Sequence, residues 1–179
     1  MSNSYSAYSE GYIQYLDEEL ANLDPNKPSD INKYVETKSQ KDLATLAKDY
    51  KETSWQAEVI GTVISPIIEE MNNYEYIDKN NEALTTSKAQ YDEMLTALKN
   101  NDWKYFANKE LESINTQIEE LNALISQDSE NDDLKIQLKS LELQKEVVNL
   151  RLDKNINYGS DNYKSIAVQN YRMYMGNYI

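Results

Sequence analysis

The sequence predicts an all-α protein: an elongated helical bundle with long antiparallel coiled-coil-like hairpins. Three observations carry that expectation. Only 4 Gly and 3 Pro occur in 179 residues, a composition that favours long helices over a turn-rich β fold. Apolar residues recur at three- and four-residue steps through most of the chain. No period-two alternation runs long enough to read as a strand. The length suits one domain with a real core, taken here as residues 1–179.

The first helix, within 1–23, places Tyr5, Tyr8, Tyr12, Tyr15 or Leu16, and Leu20 on one aromatic face. Pro25 and Pro28 then break the helix, since each lacks an amide donor and restricts the residue before it. Ser29 or Asp30 is the expected N-cap of the second helix.

Residues 30–99 read as a long kinked helix plus a shorter one. Leu43, Leu46, Tyr50, Thr53, Ala57, Ile60, Ile64, Ile67, Met71 and Tyr74 alternate steps of three and four without a slip. Pro66 lies inside this stripe, so a bend eased by Gly61 and Ser65 is expected. Roughly 35 residues at 1.5 Å rise would make a rod of about 50 Å. Asn80-Asn81 marks the next boundary. Leu84, Lys88, Tyr91, Leu95 and Leu98 share one side of the shorter helix.

Residues 102–154 read as a helical hairpin. Asp102 is the expected N-cap, with Trp103 and Phe106 opening the apolar face. Ala107, Leu111, Ile114, Ile118, Leu121 and Ile125 form one seam. After the polar loop SQDSEND, Asp132 or Asp133 caps the second arm. Leu134, Leu138, Leu141, Val148 and Leu152 continue the seam, with Lys145 at its one polar position. A second stripe, Ile136, Leu143 and Leu150, implies an arm sandwiched between neighbours. The last helix, 161–179, carries Tyr163, Ala167, Tyr171 or Asn170, Tyr174 and Tyr178.

A net charge of −13 argues against a nucleic-acid partner, which needs a basic face, and against adsorption to anionic lipid. With no cysteine and no histidine, there is no disulfide, no thiolate metal site and neither of the usual nucleophile–base partners. No apolar run approaches the ~18 residues of a spanning helix, and no signal-peptide core is present. The carboxylates Asp17, Glu18, Glu19, Glu69, Glu70, Glu119 and Glu120 fall on polar helix sides rather than in a paired cleft.

Asp24, Asn26 and Asp30 faintly resemble a calcium loop. Ser29 and Val35 stand where its glycine and terminal glutamate belong. The acids at Asp128, Glu130, Asp132 and Asp133 are accounted for by a helix start. Gly159 is expected to supply a turn of positive φ rather than a phosphate cradle. No catalytic residue, metal ligand or cofactor site is predicted.

Tyrosine is the anomaly, with 15 Tyr against 1 Phe. Nine lie at the two ends: Tyr5, Tyr8, Tyr12, Tyr15, Tyr158, Tyr163, Tyr171, Tyr174 and Tyr178. Tyrosine favours positions apolar at one end and wet at the other, in protein interfaces and the lipid headgroup belt. Terminal helices packed as neighbours would bring both chain ends together, as in a domain inserted between two membrane spans. Tyr5, Tyr8, Tyr12, Tyr15, Tyr171, Tyr174 and Tyr178 would then be membrane-proximal. Met1 before SNS and the final GNYI read as the ends of a trimmed segment.

NDWKYF at Asn101–Phe106, the Glu-rich heptad hairpin, the acidic loop and LELQKEVVNLRLDKNINYGSDNYKSIAVQNY at Leu141–Tyr171 stand in a suggestive order. That order resembles the extracytoplasmic insertion between the first two membrane spans of bacterial ABC exporter permeases of the type-2 class. Trp103, Arg151, Asn155, Tyr158 and Gly159 carry the likeness; members more often have Pro where Asn157 stands. The resemblance implies a non-enzymatic domain at the extracellular face of a Gram-positive-type cell membrane. Its partners would be the rest of the permease, a separate cytoplasmic ATPase and an extracellular peptide or protein ligand. It would serve export of, or resistance to, peptides or drugs by guarding the exit path or binding a peptide or protein. The alternative is a free-standing acidic helical-bundle adaptor that binds partners through seams such as Leu43–Tyr74. A third class, a carboxylate-pair glycan hydrolase, lacks a visible pairing.

Overall fold

The computed structural model describes residues 10–50 and 54–157. It is all-α: α1 (Glu10–Ala21), α2 (Ile31–Asp49), α3 (Ser54–Val59), a π-helical segment (Ile60–Ile64), α4 (Ser65–Tyr76), α5 (Asn81–Lys99), α6 (Trp103–Gln127) and α7 (Asp132–Lys154). No strand occurs among the described residues. Contacts gather into two compact units, Met1–Asn101 and Asp102–Ile179. They divide where the sequence restarts at Asn100–Asp102, inside the span that length alone reads as one domain.

In the first unit α1 packs on α2 through Leu16, which is 2% exposed, while Tyr15 is 54% exposed. The helix therefore turns its leucine, not Tyr15, to its neighbour. Lys41 pairs with Asp17, and Lys48 Nζ donates to Glu10 Oε1 at 2.8 Å. That hydrogen bond holds the Glu10 carboxyl below its usual range and raises the Lys48 ammonium. Asp30 occupies the N-cap position of α2, but its carboxylate accepts from the Asp24 amide at 3.0 Å instead of capping the helix.

The kinked but continuous helix expected over Leu43–Tyr74 is not formed. α2 ends at Asp49, Tyr50 takes the C-cap position, and α4 packs back alongside α2. The Tyr34 and Tyr76 rings meet edge to face at 5.0 Å, and Asn72 Nδ2 donates to Ser39 Oγ at 3.1 Å. A folded pair buries both halves of the apolar stripe within one chain, whereas a straight rod would need a partner along its whole length.

Pro66 sits in the first turn of α4, directly after the π segment. Proline cannot donate to the carbonyl four residues back and crowds it, and the wider π turn relieves both defects. The π turn also shifts the phase by about one residue. Ile64, the last residue of the π segment, is buried as the stripe predicts; beyond it Ile68 and Asn72 are buried, while the predicted Ile67 and Met71 are half-buried. A Cβ on Gly61 would meet nothing within 4 Å, so the bend does not require glycine there.

Asn80 caps α5 by accepting from the Ala83 amide at 3.2 Å. The buried side of α5 is Ser87, Met94, Ala97 and Leu98. The predicted face is therefore turned: Lys88 is exposed, and Tyr91 and Leu95 are half-buried.

In the second unit Asp102 caps α6, accepting from the Tyr105 amide at 3.3 Å. α6 and α7 pack together across a connection of four residues, Asp128–Asn131. Ala107, Ile114, Leu121 and Val148 are buried at the expected seam positions. Asn131, not Asp132 or Asp133, caps α7, accepting from the Leu134 amide at 3.2 Å. The two aspartates occupy the first turn, where the helix dipole favours anions. Ile136 is 66% exposed, so the second stripe is not sandwiched at that end.

α7 closes on Asn155 with φ 55°, ψ 44°. The Ile156 amide donates to the Arg151 carbonyl at 2.9 Å and the Asn155 amide to Leu152 at 3.4 Å. This is the six-to-one and five-to-two pattern of a Schellman end. The left-handed residue after the helix is thus Asn155; Gly159, expected in that role, lies outside the described residues.

Candidate functional site

One concave site in the first unit is an open valley of about 550 Å³. α2 supplies one wall, α5 the other, and α4 the floor between them. Leu46 and Ile68 are buried at its base, and Met71, Leu95, Tyr50 and Tyr91 are half-buried along its sides. Lys41, Asp42, Thr45, Asp49 and Lys99 complete the lining. Tyr91, Leu95 and Lys99 succeed one another at four-residue steps, so they form one stripe of α5.

A polar network anchors the α2 wall to α4. Lys38 Nζ donates to both Asp42 oxygens at 3.1 and 3.0 Å. Asn72, 4% exposed, gives one amide proton to Asp42 Oδ2 at 3.0 Å and the other to Ser39 Oγ. Burial first, then the charges of Asp42 and Asp92, pushes the Tyr91 phenol up. Burial, followed by its hydrogen bond with Tyr34, pushes Tyr76 up to about 12. Tyr74 is raised chiefly by the Glu70 charge. These phenols stay neutral donors well above neutral pH.

In the second unit Arg151 is 1% exposed, and its Nη2 donates to Glu110 Oε2 at 3.2 Å. Trp103 is buried at the start of α6. Of the residues that carry the family likeness, Trp103 and Arg151 are therefore core residues, and Asn155 is the helix-end residue. Tyr158 and Gly159 lie outside the described residues. So do Tyr5, Tyr8, Tyr163, Tyr171, Tyr174 and Tyr178, and with them the expected pairing of the first and last helices. Tyr12 is half-buried.

Sequence patterning leaves Ser39, Asp42 and Asn72 unmarked. The available signals are the Lys38/Asp42 spacing of four and an asparagine near the apolar stripe. No group of three or more His, Cys, Asp or Glu among the described residues could hold a metal ion. No described helix is long and apolar enough to cross a membrane. In the Asp24–Asp30 loop, Asp24 Oδ1 accepts from the Asn26 amide at 2.9 Å, so carboxylates there serve the loop's own backbone. Comparison with protein-family models, with curated proteins and with solved structures finds no match.

Proposed function

We propose that the chain is the extracytoplasmic insertion of a bacterial ABC exporter permease of the type-2 class, a non-enzymatic domain at the extracellular face of the cell membrane. It works with the rest of the permease and a cytoplasmic ATPase, guarding the exit path or holding a peptide or protein. The observation that carries this reading is the ordered resemblance over Asn100 to Tyr171, with the first hundred residues fitting only as generic insertion helices. It is supported by the coincidence of that stretch with a compact unit beginning at Asp102. Core positions for Trp103 and Arg151 fit an architectural rather than a chemical role.

The test is to sequence the native locus across both ends of the segment. Runs of about 20 apolar residues flanking it are the expected result. Polar sequence or stop codons on both sides would sink the reading. The adaptor alternative draws on Leu124 and Ile136, 49% and 66% exposed on the hairpin. It loses the Leu43–Tyr74 seam, which lies in the packing of α2 on α4.

A further inference from the structure

We propose, independently of the permease reading, that α4 has two registers on its neighbours and that the π turn at Ile60–Ile64 is the switch between them. Single π turns concentrate at functional sites, and this one stands at the entry of the helix that both α2 and α5 pack on.

Two overlapping inward sets on one helix are the first support. Unbroken α geometry from Ile60 and Ile64 turns Ile67, Met71 and Tyr74 inward. The structure buries Ile68 and Asn72 instead, one residue further on, because the π turn holds an extra residue. Ile67, Met71 and Tyr74 are each half-buried, so the second set already stands at the edge of the core. The two sets are closely matched, with isoleucine for isoleucine at 67 and 68 and Met71 for Asn72. Closing the π turn to an α turn would rotate α4 by about 100° and advance it by about 1.5 Å.

Each register keeps something the other gives up. The observed one holds Asn72 on Asp42 and Ser39, and Tyr76 against Tyr34. The closed one releases those contacts but buries a methionine where an amide stood, while Asp42 keeps both bonds from Lys38. At the turn itself the Ser65 amide donates to the Ile60 carbonyl, and on closure it would move to Gly61. Pro66 opposes closure, because it has no amide for the Thr62 carbonyl and its ring crowds that group. α4 also lies between two concave surfaces. Ile68 and Met71 line the valley shared with α5, and Ser65, Glu69 and Asn73 line a groove of about 510 Å³ shared with α2. One rotation re-lines both, which couples the occupancy of one to the shape of the other.

The test uses the whole 179-residue chain, which has no cysteine, so one introduced thiol reports exposure at one position. Ile67→Cys and Ile68→Cys are each labelled with a maleimide, with and without Pro66→Ala. Removing the proline should slow labelling at position 67 about tenfold and speed it at position 68 about tenfold, as the population moves to the closed register. A helix that is merely loosened speeds both, and a helix with a single register changes neither; either result overturns the proposal. Relaxation dispersion on the unmutated chain does not depend on how well Pro66→Ala folds. Amides from Ile60 to Tyr76 should share one exchange process on the μs–ms scale of helix register shifts, and those of α6 should not take part. Flat profiles from Ile60 to Tyr76 would overturn the two-register assignment as well.

Discussion

Replacing Asn72 by alanine tests the centre of the first unit. The substitution removes two hydrogen bonds between α2 and α4, one to the Asp42 carboxylate at 3.0 Å and one to the Ser39 hydroxyl at 3.1 Å. A bond to a charged group contributes about 1.5–3 kcal/mol and a neutral one about 0.5–1.5. Two relaxations reduce the sum. Asp42 keeps Lys38 on both oxygens, and the Ser39 hydroxyl can turn onto a carbonyl of its own helix. The expected loss is about 1.5–3.5 kcal/mol, a shift of about 1–2 M in the urea midpoint.

Because the chain has two units, a whole-molecule signal would mix two transitions. The two tryptophans separate them, with Trp55 in the first unit and Trp103 in the second. In a Trp103→Phe background, Trp55 emission tracks the first unit alone. Ser39→Ala should cost less, and the double mutant should fall short of additivity by about 0.5–1.5 kcal/mol. A loss below about 1 kcal/mol for Asn72→Ala, with an unchanged urea slope, would refute the claim that this network holds α4 to α2.

Glu110→Ala should destabilise the second unit by about 1–3 kcal/mol, because the buried Arg151 cation loses the carboxylate that its Nη2 donates to. Arg151→Met should cost less, since Glu110 is 41% exposed and rehydrates; the reverse order in Trp103-monitored melts would contradict the burial argument. Gly61→Ala should stabilise the first unit by about 0.5–1 kcal/mol, since the added Cβ meets open space and the unfolded chain loses freedom. Any destabilisation would mean that the π turn depends on glycine. Tyr76, with its folded pKa raised to about 12 from the usual 10, stabilises the neutral form. Its contribution is complete below pH 10 and is lost as pH rises towards 12. Absorbance titration at alkaline pH should find a phenol titrating near pH 12 that Tyr76→Phe removes.

Much of the helix layout is legible in the sequence because helix starts and stops are local chemistry. Asp102 caps as expected and Asn80, read as a boundary, caps as well, since an Asx oxygen needs only an amide three residues on. Asn131 displaces Asp132 and Asp133 by one or two positions, which propensity does not resolve because all three side chains can cap. The α6–α7 seam is readable from spacing because that hairpin has one partner face and no interruption. Leu43–Tyr74 misleads because heptad phase is the same in a straight rod and in a rod folded back on itself. The π turn then moves the buried set from Ile67 and Met71 to Ile68 and Asn72. The valley is invisible for the same reason, since Tyr91 and Leu95 look like the core side of α5.

The sequence by itself determined an all-α, acidic chain without cysteine or histidine chemistry, the helix breaks near Pro25–Pro28, Asn80 and Asn100–Asp102, and the apolar seam of the α6–α7 hairpin. Those properties depend on composition and on residues within about four positions of each other. Only the tertiary structure decided where α2 ends, which stripe faces which helix, that Arg151 is buried against Glu110, and that Asn72 ties α4 to Ser39 and Asp42. Periodicity states that a face is apolar, not what covers it. The covering partner comes from residues 30 to 41 positions away in these pairs, and proximity across that distance exists only once the chain has folded.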